Sequence, residues 1–85
     1  MQHIFIFARS TKSFTIYGSA TVNEFTDPGW IWLHSGKLPD ELNANLCEMA
    51  LHSFELARRV RARFVKFVAE DAHGIGPDLN YIGLK

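Results

Sequence analysis

The chain has 85 residues, nine Lys+Arg against nine Asp+Glu, a formal charge of zero, and a composition 47% hydrophobic and 13% aromatic. This length supports one domain over residues 1–85, because a second core would be too small to bury enough surface. The apolar fraction excludes a disordered chain, and overall neutrality argues against a surface uniformly attractive to nucleic acid or anionic lipid. A single cysteine excludes an intrachain disulfide and a multi-cysteine zinc site.

The first apolar run, Ile4 to Ala8, is too short for a signal-peptide core, and no window approaches the ~20 apolar residues of a membrane span. A cytoplasmic protein without membrane association is therefore expected. Aromatics must supply much of so small a core, and any left over would cover a partner protein or a second copy in a homodimer.

In chain order, His3 to Ala8 reads as a strand, bounded by the polar residues Arg9 to Ser13. Phe14, Ile16 and Gly18 alternate with Thr15 and Tyr17, and the pattern continues through Ala20 and Val22 as a second strand. The two runs flank a polar turn and suggest a hairpin. Thr26, Asp27, Pro28 and Gly29 form the strongest turn signal, since Pro presets one backbone angle and Gly tolerates positive φ. A third strand runs from Trp30 to His34 and closes at Ser35 and Gly36.

The period then changes. Pro39 suits a first helical position, with Asp40 and Glu41 set against the positive end of the helix dipole. Leu42, Leu46, Met49, Ser53 and Ala57 recur at three- and four-residue steps, and Ala50 and Phe54 widen the stripe, so a long helix is expected here. Cys47, among Leu46, Met49 and Leu51, reads as a core cysteine. Val60 to Glu70 fits either a continuation of the helix, since Val60, Phe64, Phe67 and Val68 share a helical face, or a break near Val60 to Arg63 and a buried strand around Phe64 to Val68, rich in β-branched and aromatic residues. The excessive length of a single helix favours the strand. Residues 73–80 form a Gly/Pro loop, and Tyr81 to Leu84 a short last strand. The expected architecture is α+β in the order β-β-β-α-β, one sheet with the helix packed on one face.

Three constellations carry functional readings. Arg58, Arg59, Arg61, Arg63 and Lys66 lie within nine positions without an acid, leaving four basic against nine acidic residues elsewhere. With Phe64 and Phe67 beside it, this segment would grip a nucleic acid or an acidic protein; otherwise it is a solvated helix end that complements its own dipole. Glu48, His52, Asp71 and His73 would hold a divalent metal or run acid–base chemistry if tertiary structure gathered them, though no ligand motif links them. Trp30 and Trp32 share a strand face, with Ile31 and Leu33 opposite. Facing depends on register, so the two Trp either fill the core or form an open contact surface joined by Tyr17.

No Gly-x-Ser-x-Gly elbow or phosphate loop is present, and no cofactor is implied. The leading expectation is a small non-enzymatic protein-interaction module, an inhibitor, adaptor or regulatory subunit of the kind phage and mobile elements carry. Its binding residues would be Tyr17, Trp30, Trp32, Arg58, Arg59, Arg61, Arg63 and Lys66. The alternatives are a nucleic-acid-binding domain using 58–66 and a metal-dependent enzyme using Glu48, His52, Asp71 and His73.

Overall fold

Six strands make up the regular structure in a computed structural model of the chain, which describes residues 2–41, 51–56, 59–74 and 76–85. They are β1 (His3–Phe7), β2 (Thr11–Ser19), β3 (Ile31–Lys37), β4 (His52–Glu55), β5 (Phe64–Ala72) and β6 (Tyr81–Leu84). Two three-stranded antiparallel sheets result, ordered β4-β1-β6 and β3-β2-β5. No helix occurs among the described residues, and so none there is long and apolar enough to cross a membrane. The described residues form an all-β fold, which corrects the α+β expectation.

Alternation explains how the sheets close on one another. Ile4 and Ile6 of β1 are buried, while His3, Phe5 and Phe7 face the other way. Phe14 and Ile16 of β2 are fully buried from the opposite side, and Ala8, Leu33, Leu38 and Leu56 complete the core. Phe54, Phe67, Ile82 and Leu84 pack against its margins. Phe14 is the central ring, edge-on to Phe54 at 5.2 Å and stacked on Phe67 at 5.9 Å between centroids.

The expected helix fails at β4. Phe54 pairs with Ile4 and His52 with Ile6, so both turn inward, while Ser53 and Glu55 turn outward. Over four residues a period of two fits inside an apparent helical stripe, and only pairing with β1 chooses between them. Gln2 reinforces that choice, because its carbonyl accepts from Leu56 N–H at 2.9 Å. The remainder of the stripe, Leu42, Leu46, Met49 and Ala50, lies outside the described residues, as do Cys47, Glu48, Ala57 and Arg58.

The expected hairpin between the first two strands is also absent. β1 and β2 are each the central strand of a different sheet, and residues 8–10 carry the chain across. β2 begins at Thr11 and stops at Ser19, three residues short of Val22. The third strand runs on through Ser35 and Gly36 to Lys37. Strands do form at Phe64–Ala72 and Tyr81–Leu84, but the first is a half-exposed edge strand and not the buried one expected, because β2 pairs with it on one side only among the described residues.

Asp78 anchors the crossover between β1 and β2. Its carboxylate accepts from the backbone N–H groups of Arg9, Ser10 and Thr11 at 2.8–3.2 Å, and from the Ser10 hydroxyl. The Ser10 hydroxyl also donates to the Gly76 carbonyl. Gly74, at φ 71°, supplies the left-handed backbone that turns the chain after β5.

Candidate interaction face

The outer face of the β3-β2-β5 sheet is built on one row of cross-strand neighbours. Tyr17 of β2 stands between Trp32 of β3 and Lys66 of β5. A bulge places Trp32 there, because the register shifts between Ile16, opposite His34, and Tyr17, opposite Trp32. Leu33 is the extra residue; it is buried, and His34 beside it also turns inward against Phe14 and Phe54. Trp32 is left on the solvent side, 49% exposed, its indole N–H donating to Ser35 Oγ at 2.9 Å. Of the two readings of the Trp pair, the structure has Leu33 in the core and Trp32 outside it.

Residues 20–30 fold back over this face. Ser19 Oγ accepts from Thr21 and Val22 N–H, and Asp27 Oδ1 from Gly29 N–H at 2.7 Å. The Trp30 indole N–H donates to the Glu24 carbonyl at 2.8 Å, which holds the ring in place. Lys66 Nζ then lies 4.6 Å from the Tyr17 ring centroid, 4.9 Å from Phe25 and 5.3 Å from Trp30. It also donates to the Phe25 carbonyl at 3.0 Å. Three rings around one ammonium form a cation–π cage, each contact contributing about 0.5–1 kcal/mol at an open site. Phe25, 61% exposed, forms the outer wall. A loop phenylalanine with no periodicity around it carries no sequence signal for this role, beyond the general excess of aromatics.

The basic segment divides. Residues 59–63 lead into β5, with Arg59, Arg61 and Arg63 exposed and Val60 and Ala62 half-buried between them. The Gln2 carboxamide holds the segment from both sides, donating to the Val60 carbonyl at 3.1 Å and accepting from Val60 N–H at 2.7 Å. Arg63 N–H donates to the Ser19 carbonyl at 2.9 Å, and its guanidinium lies over Phe64 at 5.9 Å. None of the three arginines has a carboxylate partner among the described residues. Lys66 shares a depression with Phe25 and Trp30, Arg59 and Arg61 line another beside Gln2 and Leu84, and Arg63 borders both.

The described members of the proposed metal or acid–base set have separate partners. His52 Nε2 is 2.9 Å from Glu41 Oε1 in a largely buried pair. Asp71 lies 3.8 Å from Lys12 at the surface, and His73 Nε2 donates to the Leu38 carbonyl at 3.0 Å. Glu48 lies outside the described residues, and among the described residues no three His, Cys, Asp or Glu side chains form a metal-binding group. No protein-family model, curated protein or solved structure matches the chain.

Proposed function

We propose that the chain is a small, non-enzymatic, cytoplasmic protein-interaction module that docks another protein through the outer face of the β3-β2-β5 sheet. The observation that carries this reading is Trp32, half-exposed on a sheet whose inner face already supplies the core. A tryptophan in that position adds nothing to the core and offers a large rigid surface, the property that makes Trp frequent among binding hot spots. Tyr17 and the Lys66 cage pre-organise the surface beside it, which lowers the ordering cost of binding. Lys66 is already held by three rings and the Phe25 carbonyl rather than presented to a phosphate backbone, which favours a protein over a single-stranded nucleic acid.

The test is affinity capture from the native host with the wild type and with Trp32→Ala. Trp32 lies outside the core cluster, so the variant should melt close to the wild type. A specific protein held by the wild type and lost by the variant is the expected result. Equal recovery by two folded baits would refute the reading.

A further inference from the structure

Each of the two sheets has two outer edges, and exposed edges invite pairing with another chain unless they are short, bulged or charged. β4 and β6 are four residues each. β3 is seven residues long but carries the Leu33 bulge and ends on Lys37. β5 is nine residues long; its own bulge, at Glu70, lies near its end, and from Phe64 to Ala69 it stays in unbroken register with β2. On its far side no strand pairs with it among the described residues. The one lysine within the strand does not guard this edge, because Lys66 is drawn over the sheet face into the aromatic cage.

We propose that the open edge of β5 pairs antiparallel with β5 of a second copy, joining two three-stranded sheets into one continuous sheet about a twofold axis. Charge complementarity selects this occupant. Arg59, Arg61 and Arg63 precede the strand, and Glu70 and Asp71 lie near its end, so antiparallel self-pairing sets the basic end of each copy against the acidic end of the other.

The register follows from which groups remain available. Glu70 accepts from the Thr15 hydroxyl at 2.7 Å and Lys66 occupies its cage, whereas Arg63 is exposed without a carboxylate partner among the described residues, and the contact of Asp71 with Lys12 is exposed and long at 3.8 Å. Pairing centred on Phe67 sets Arg63 towards Asp71 of the second copy and Val65 opposite Ala69, giving cover to a Val65 that is 42% exposed in the single chain. A shift of two residues would set Val65 against Asp71 instead. In this assembly the locally charged segments of a neutral chain satisfy each other between copies.

Light scattering or sedimentation equilibrium from low micromolar to near-millimolar protein tests the assembly. The mass should rise from 9.7 kDa toward twice that value. Arg63→Glu and Asp71→Arg should each weaken association roughly tenfold, and the double reversal should restore it. Trp32→Ala should leave association unchanged, which separates this edge from the proposed docking face. Hydrogen exchange of the wild type supplies a readout that does not depend on any variant folding: the β5 amides facing away from β2 should gain protection as concentration rises. A mass fixed at 9.7 kDa throughout overturns the proposal. So does a dimer indifferent to the single reversals or not restored by the double one.

Discussion

At the scale of single residues, His34 shows how a polar side chain tolerates the core margin. Its ring lies 4.9 Å from Phe54 and 6.1 Å from Phe14, and burial lowers its pKa from the ordinary value because the charged form would lose hydration. The unfolded chain therefore binds this proton more readily than the folded one. Stability from this group is greatest above the ordinary histidine pKa of about 6.5 and falls as pH drops below it. Denaturant midpoints measured at mildly alkaline and mildly acidic pH should show a wild-type decline that is shallower in His34→Leu. Equal slopes in the two proteins would remove His34 as the cause. The facing of His34 was not legible in the sequence, where simple alternation with Leu33 sets the two on opposite sides; the bulge alone turns both inward.

At the scale of elements, the same bulge requires space. Leu33 lies across Gly18, where an added Cβ would sit 2.9 Å from Leu33 Cδ1 and 3.1 Å from Ala62 Cβ. Gly18→Ala must displace a leucine that is 4% exposed, and overpacking of this kind costs about 1–3 kcal/mol. A lower denaturant midpoint at unchanged slope is the expected outcome; an unchanged midpoint would mean that β3 yields freely. β3 and β6 were legible as short apolar runs bounded by turn residues, while the β-branched and aromatic content of β5 competed with a helical reading of the same residues, which pairing with β2 decides. β4 was not, since four residues carry too little pattern to oppose the helical spacing around them, and its identity comes from pairing with β1.

At the scale of the whole molecule, two of the chain passages between the sheets, β1 to β2 and β5 to β6, meet at Asp78. It lies between β5 of one sheet and β6 of the other, and it binds the turn that carries β1 into β2. Burial alone would raise its pKa, but hydrogen bonds from Ser10, Arg9 and Thr11 outweigh that and hold it below the ordinary value. Its contribution is thus present above the ordinary carboxylate pKa of about 3.9 and lost as pH falls through the lower folded-state value. Asp78→Ala should cost about 2–3 kcal/mol at neutral pH, because several backbone donors lose a charged acceptor at once. The gap between variant and wild type should narrow in strong acid. Urea titrations at the two pH values measure it, and a gap independent of pH would show that the carboxylate charge is not what ties the crossovers.

What the sequence determined by itself was local: several strands, the turn before Trp30, and a neutral chain holding one strongly basic segment. These depend on the composition of short windows, and short windows are what backbone preference and period can read. Which strands share a sheet, which way Trp32 faces, and that Lys66 leaves the basic segment for a cage of three rings were settled by tertiary structure. Each of these rests on contacts between residues distant in the chain. A single bulge or crossover, with almost no trace in local composition, decides among them.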